Sequence, residues 1–568
     1  MEFTFSEYFD YVHHPAVLPP LTDGYDHNEH RVVIAGGGPT GLAVALGLAN
    51  YGVPSVVIEA DDSVCSGSRA GAITRRTLEI FDQLGIAETV VGKGFAWGTG
   101  LTYLRDREVL RFQMPDDENQ RFPPGISLQQ NYVEQYLFDE IQRRGELIDV
   151  RWQSTVQAVE SAADKVTVTI ATPAGGYRLA TDWLVGCDGG RSTVRRALGL
   201  QMSGTAYEGR YIIIDIRIDT AGFPIGRRCW FDPPSNPGGT LLMYTKPDQM
   251  VRFDYQLGDD EDPDEAVKPE NVLPRVQQHL EMMGVDRPWE PVWLSLYRAN
   301  ALTLDSYRHG RTLFAGDAAH LVPIFGVRGM NSSVDDAHNL AWKLALVSTG
   351  RAPLRLLDSY SSERVYAARE NLRLASKGAE FMAPPSPPFK LMRDAVLSLA
   401  ADHSWITSLL NPRQHAAIAL VRSPLNVADG AEELCGPRPG EVLLECPLTR
   451  HDRQGVHRTY LTSLLGPHFT ALYFSEDGKL PGSLAVEFGA LSEGGIPLSL
   501  VTIGQAGAGS GNVDEGGQFA ELYGARPGTA YLVRPDGHVM ARWLRVVAGE
   551  LTSALALISA DQERDGQL

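Results

Sequence analysis

Several things are scarce in this chain, and each scarcity removes a class of protein. Its 568 residues include only five cysteines, Cys65, Cys187, Cys229, Cys435 and Cys446. None forms a CxxC pair or a metal-ligand spacing, so a disulfide scaffold and a dithiol site are set aside and a reducing, cytoplasmic setting is expected. Positive charge is short as well, with 51 Lys and Arg against 70 Asp and Glu and a net charge of −19. Nucleic acid, which wants a basic face, is therefore not an expected partner. No apolar run approaches the roughly 18–20 residues of a membrane helix. The start, Met-Glu-Phe-Thr-Phe-Ser-Glu, has neither a basic nor an apolar leader region, so no membrane and no secretory signal is expected. There is no Gly-x-Ser-x-Gly elbow, no Gly-Lys-Ser/Thr phosphate loop and no internal repeat. His13, His14, His27 and His30 sit in a polar stretch with no further ligand set, so no metal site is expected.

What is present is length and glycine. A chain of this size exceeds one compact core, and two or three domains are the prior. Residues 1–30 read as an irregular extension. A βαβ pattern begins at Arg31: a strand over 31–35, a helix over 39–51 opened by Pro39 and stopped by Gly52, and a strand over 54–59. Between 200 and 300 the alternating segments 211–217, 240–245 and 252–257 suggest a β-rich sheet. Helical periodicity returns over 334–347 and 359–377. The proline run at 383–388 is punctuation, followed by a mostly helical segment to about Leu425. From Gly436 onward strands and turns alternate, as in a small α/β domain.

Three motifs carry the chemistry. Gly36-x-Gly38-x-x-Gly41 follows a strand and opens a helix, with Pro39 and Thr40 inside it. Glycines there permit a tight turn and close approach to a pyrophosphate, whose charge meets the helix N-terminus. Glu59, 18 residues beyond Gly41, is placed to accept from a ribose hydroxyl. Cys187-Asp-Gly-Gly-Arg-Ser192 ends a strand and turns into a helix that Ser192 can cap. Its Asp188 suits a ribose or phosphate contact, with Arg191 and Arg195 offering charge. Gly316-Asp-Ala-Ala-His320 precedes Pro323, Gly326, Gly329, Met330 and Asn331 and then a helix. Asp317 can hold a ribityl hydroxyl, and the positive end of that helix can stabilise charge at the N1–C2=O edge of a reduced flavin.

In this order and spacing the motifs resemble the class A flavoprotein monooxygenases, the group of para-hydroxybenzoate, 3-(3-hydroxyphenyl)propionate and phenol hydroxylases. The likeness covers roughly residues 31–380 and extends more loosely to the end. It implies an α/β fold: an FAD-binding Rossmann-like (GR2, para-hydroxybenzoate hydroxylase-like) domain interleaved with a β-sheet substrate domain over 31–385, a helical linker over 386–435, and a thioredoxin-like C-terminal domain over 436–568 without CxxC. In that last domain 531–542 looks like the closing hairpin, turning at Pro535-Asp-Gly537. The implied cofactor is FAD, with NADPH or NADH as co-substrate and O2 as oxidant. The implied reaction is hydroxylation of a small phenolic aromatic through a flavin C4a-hydroperoxide; a reductase or dehydrogenase without oxygen insertion is the alternative, and homodimerisation is left open. Residue by residue, the resemblance adds Arg69 at the diphosphate and Gln130 on the FAD chain, with the backbone of Met330 and Asn331 at the ring. On the substrate and flavin side it points to Arg252, Tyr211, Tyr297 and Ile324. For Arg252 an exposed strand position is the competing expectation. The chain departs from the family pattern at Ile324 (second proline of a Pro-Pro), at Arg328 (commonly Gln or Lys) and at Ser333 (commonly Gly). A halogenase Trp-x-Trp-x-Ile-Pro motif is missing: Pro288-Trp-Glu-Pro-Val-Trp293 does not match it.

Overall fold

A computed structural model describes residues 2–67, 69–116, 118–258, 260–400, 402–406, 416–453, 455–508 and 511–559. Its centre is a mixed sheet in which Ile148–Arg151, Ser55–Ile58 (β3), Tyr25–Ala35 (β2), Gly175–Gly186 and Thr312–Phe314 lie side by side and parallel. Their sequences read as continuous apolar runs (Arg-Val-Val-Ile-Ala, Ser-Val-Val-Ile) because helices cover both faces. Pro39–Ala49 (α1) is buried nearly all round and packs against Gly329–Ser348, which is buried over most of its length. Leu356–Met382 lies against that second helix. Both late helices outrun their sequence-derived bounds, since Asn331 and Ser333 open the first without breaking its period.

A second sheet forms a separate layer. Its strands run in the order Glu2–Thr4 (β1), Trp289–Thr303, Ser203–Ile218, Met250–Gln256, Thr240–Lys246, Arg227–Phe231, Thr99–Leu104 and Arg107–Gln113. One face packs on the helix Pro269–Met282 through Ile212, Ile214, Phe253 and Leu280. The other face turns toward the FAD-binding layer. The first 30 residues are thus no loose extension. β1 pairs with Trp289–Thr303, and β2 begins at Tyr25, earlier than the expected Arg31, because Asp26 pairs with both His30 and Arg151 within the sheet.

After the helix Pro387–Ala400 the expected helical linker is not sustained. Residues 416–435 are irregular, as Pro424, Asn426 and Gly430 favour turns; 407–415 lie outside the described residues. The C-terminal unit is a seven-stranded sheet in which Phe469–Ser475 pairs parallel with Leu498–Gln505 and antiparallel with Ala530–Val533, which in turn forms a hairpin with Val539–Trp543. Its Arg534–Gly537 turn docks on the FAD layer through buried charges. Arg534 grips both oxygens of Glu363 at 2.8 and 2.9 Å, and Lys343 reaches Glu363 at 2.6 Å. Asp536 accepts from Asn339 at 2.8 Å and from Trp342 at 3.1 Å. Among the described residues, no helix is long and apolar enough to cross a membrane.

Candidate active site

The first glycine loop is shaped by contact. Gly36 has φ +104°, and a Cβ there would stand 2.4 Å from the Cys187 carbonyl oxygen. At Gly41 a Cβ would fall 1.9 Å from the Gly36 carbonyl oxygen, so the loop closes only without side chains. α1 starts at Gly38 with Pro39 in its first turn, and no side chain caps it. Its first amides therefore point outward, as an anion site requires. Thr40 presses its hydroxyl side against Gly316, bringing the first and third motifs together.

Glu59 follows β3 and accepts from the amides of Gly37 (2.5 Å) and Asp61 (2.8 Å). Burial pushes its carboxyl above the ordinary range, against the pull of those amides. The loop that follows, residues 59–71, is latched from the side by the helix Gln130–Arg144. Glu134 accepts from the Cys65 amide at 2.6 Å and from Gln130 at 2.8 Å, while Gln130 accepts from the Ala70 amide at 3.1 Å. Burial raises Glu134 to about 7 despite these donors. Gln130 thus holds the Arg69–Ala70 backbone.

The second motif is braced at both ends. One oxygen of Asp188 accepts from Thr193 (2.7 Å) and Val194 (3.0 Å), and Ser192 caps the same short helix by accepting from Arg195 at 2.9 Å. The other oxygen, Oδ1, is buried and has no protein partner. Arg195 donates to the carbonyls of Gly190 (2.6 Å) and Ala318 (3.0 Å), tying the second motif to the third.

Asp317 lies in the 3₁₀ turn Gly316–Ala318 with its side chain open to the cleft. The protein around that cleft pushes its carboxyl up, opposed by His320 and Arg69. Behind it, Asp336 accepts from the Gly316 amide (3.0 Å), His320 Nε2 (2.7 Å) and Arg364 (2.6 Å). Burial acts to raise Asp336, but His320 and Arg364 outweigh it and hold the carboxyl below the ordinary range. The side chain of Asn331 is saturated: it accepts from Thr74 (3.0 Å) and Thr77 (2.6 Å) and donates to the carbonyls of Ala72 (3.0 Å) and Val327 (2.6 Å). It staples the start of its helix to Ala72–Thr74 (β4) and Arg75–Leu84 (α2).

The sheet face turned toward this cleft follows from strand alternation. Pairing sets Tyr211 opposite Tyr297, Asp215 opposite Arg252, and Arg252 opposite Tyr244. One end of the face is charged. Arg252 forks onto Asp215 at 2.9 and 3.0 Å and donates to the Arg69 carbonyl at 2.5 Å; Lys246 lies 3.8 Å from Asp215 and against Gly71. Burial, then Arg252, pushes Lys246 down to about 7, and burial pushes Asp254 up to about 6. The other end is apolar and aromatic: Tyr211, Cys229, Phe231, Leu242 and Phe325 form one cluster, with Tyr244, Tyr297 and Ile324 packed on it. Tyr211 meets Phe325 edge to face at 5.4 Å.

Of the residues singled out in the sequence, Gly36, Gly38, Glu59, Arg69, Asp188 and Asp317 sit on the loops and turns just described, Pro39, Thr40, Gly41, Gln130, Gly329, Met330 and Asn331 in the first turns of helices beside them, and Pro323 in the irregular stretch between His320–Leu321 and Gly329. Tyr211, Tyr297 and Ile324 share the apolar end. Arg252 departs from the exposed alternative, being 5% exposed and paired with Asp215. Sequence reasoning missed Glu134, Asp215, Lys246, Asp336 and Arg364 as site residues. Only the i, i+4 spacing of Gln130 and Glu134 offered a local signal.

The donors fit a flavin dinucleotide: an uncapped helix start beside a glycine turn, an orphaned buried carboxylate oxygen on Asp188, and a second carboxylate on Asp317 open to the same cleft. Fold and cleft together define an FAD-dependent monooxygenase architecture. The chain belongs to the family described as FAD binding domain, which matches residues 29–375. It is 29% identical to a 6-methylpretetramide 4-monooxygenase of Streptomyces rimosus over 95% of this chain and 94% of that one. It is 30% identical to a 3-(3-hydroxy-phenyl)propionate/3-hydroxycinnamic acid hydroxylase of Mycolicibacterium smegmatis over 64% of each chain. Among solved structures it resembles the flavin-dependent monooxygenase PieE in complex with FAD and substrate, with TM-score 0.77 and 24% identity over 91% of this chain and 96% of that one. Aklavinone-11 hydroxylase with FAD and aklavinone follows, with TM-score 0.74 and 23% identity over 93% and 98%.

Proposed function

We propose that this protein hydroxylates a phenolic aromatic compound, consuming NADPH or NADH and O2. Bound FAD would take up the two electrons of NADPH or NADH and pass them to O2, which supplies the oxygen activation. The observation that carries the reading is the sheet face opposite the glycine loops, where the aromatic cluster of Tyr211, Tyr297 and Phe325, with Ile324 packed on it, lies beside the Arg252–Asp215–Lys246 group. The apolar end would hold a ring and exclude water, which preserves a reactive oxygen species and orients the attacked carbon. The cofactor contacts in this reading are the Gly36–Gly41 turn and Thr40 at the diphosphate and Glu59 at the ribose. Arg69, Gln130 and Asp188 act along the chain, Asp317 at the ribityl tail, and Pro323 and the Gly329–Asn331 backbone at the ring. The C-terminal sheet supports a thioredoxin-like reading with a structural role, since its central strands run parallel and it lacks a CxxC pair. A cytoplasmic location belongs to the same proposal.

The test is stoichiometry. Purified holoenzyme is offered single-ring phenols, hydroxybenzoates and larger polycyclic phenols. One of them should accelerate NAD(P)H oxidation and return with one oxygen atom from labelled O2. Accelerated oxidation with no labelled product across the panel sinks the reading.

A further inference from the structure

The N-terminal arm, residues 2–24, plays no part in the motifs, yet it crosses from the substrate sheet to the FAD layer. Its anchors gather around the loop that carries Glu59 and Arg69, some on Asp62 and Val64 themselves and some on Trp293 and Asn131 beside it. Glu2, in β1, accepts from the Trp293 indole at 2.5 Å, and that indole lies so close to Gly67 that a Cβ there would meet it at 2.4 Å. Tyr8 packs with Ile213, Met250, Val292 and Trp293 and donates to Asn131 at 3.2 Å, beside Gln130. Phe9 and Tyr11 pack with Val64, Phe138 and Trp152; Phe9 also meets Tyr132 edge to face at 4.9 Å. The His14 amide donates to the Asp62 carbonyl at 2.7 Å, while its ring stacks on Trp152 at 4.8 Å. Gln153 closes the clasp, donating its side-chain amide to the His14 carbonyl (2.8 Å) and its backbone amide to the Asp61 carbonyl (2.9 Å).

We propose that the N-terminal arm is a cofactor-retention strap, in which Tyr8 and Phe9 act as positioning residues that hold the 59–71 loop in its FAD-binding shape. From the inside, Glu134 and Gln130 fix Cys65 and Ala70. From the outside, the arm meets Asp62 and Val64 directly and Gly67 through the Trp293 indole that Glu2 holds. A loop pinned from both sides forfeits little entropy when ligand arrives, and a loop freed on one side must be ordered by the ligand itself. The inference rests on FAD binding and not on hydroxylation.

The experiment titrates FAD into full-length apoprotein, following flavin fluorescence and amide exchange over 59–71. Phe9→Ala is expected to raise the Kd for FAD at least about tenfold, and Tyr8→Phe about threefold. Val17→Ala, on an exposed stretch of the arm, should leave it unchanged. Exchange within 59–71 should quicken in Phe9→Ala alone of the point variants at Phe9 and Val17. A variant lacking residues 2–14 should match or exceed the Phe9→Ala loss; if it does not fold, the three point variants decide. A Phe9→Ala protein with native circular dichroism, a Kd within twofold of the parent and unchanged exchange overturns the proposal. Absence of phenol turnover would count against the hydroxylase reading only, because no arm readout uses turnover.

Discussion

Replacing Arg534 by Met is the sharpest test of how the C-terminal unit is held. The parent cluster balances two cations, Arg534 and Lys343, against two carboxylates, Glu363 and Asp536. Three of these side chains are 0% exposed and Asp536 is 1% exposed. Arg534→Met removes four charge-assisted contacts and leaves one uncompensated negative charge in the interior. Breaking a buried pair in this way costs about 3–5 kcal/mol. Burial alone would raise Glu363, but Arg534 and Lys343 hold it below the ordinary range, so the loss appears directly in its titration. A second change, Asp536→Asn, restores neutrality while keeping the buried Lys343–Glu363 pair, and should recover about half or more of the loss, a coupling that independent sites would not show. Urea unfolding followed by circular dichroism and tryptophan emission reads the effect, since the Arg534 guanidinium lies 5.5 Å from the Trp342 ring. A single variant within about 0.5 kcal/mol of the parent, or a double variant no better than the single, would refute the reasoning.

Gly36→Ala should abolish FAD retention, because the backbone strain of about 1–3 kcal/mol at its positive φ adds to the overlap with the Cys187 carbonyl; a yellow protein of parental Kd would contradict this. Asp317→Ala should weaken FAD about tenfold in fluorescence titration while leaving urea stability near the parent, since its carboxylate faces the cleft and not a protein partner. Asp336 and Asp536 are both held below their ordinary values, so their stabilisation is complete above the unfolded value of about 3.9 and is lost as pH falls through the folded value. Unfolding midpoints measured from pH 7 to pH 3 should therefore drop steeply below about pH 4, and Asp336→Asn should flatten that drop.

The glycine turns and the strand ends beside them were legible because each is dictated locally: a βαβ unit needs glycine at Gly36 and Gly41, and Asp317 follows a strand directly. The core helices were legible too, though their true ends were not, since Asn331 begins its helix through bonds to Thr74 and Thr77, more than 250 positions earlier. What stayed hidden was set by distant pairing. Arg252 reads equally well as an exposed strand cation or as a flavin-side arginine until Asp215 arrives from the neighbouring strand to neutralise it. Asp336 and Arg364 look like ordinary helix-surface charges until the fold places His320 between them and the cleft. The arm reads as an irregular extension because its aromatics meet their partners only in three dimensions, and the linker misled because its apolar composition resembles a helix that its prolines and glycine forbid.

The pairing of Gly175–Gly186 with both β2 and Thr312–Phe314 has a temporal implication. During synthesis, no ribosome-bound fragment shorter than roughly three-fifths of the chain contains every wall of the flavin cleft. Nascent protein must wait for its last parallel neighbour before it can capture the dye, and such long-separation closures are slow. Until then the apolar strands stand open to chaperones, so vitamin supply during expression should govern yield more through late maturation than through early collapse.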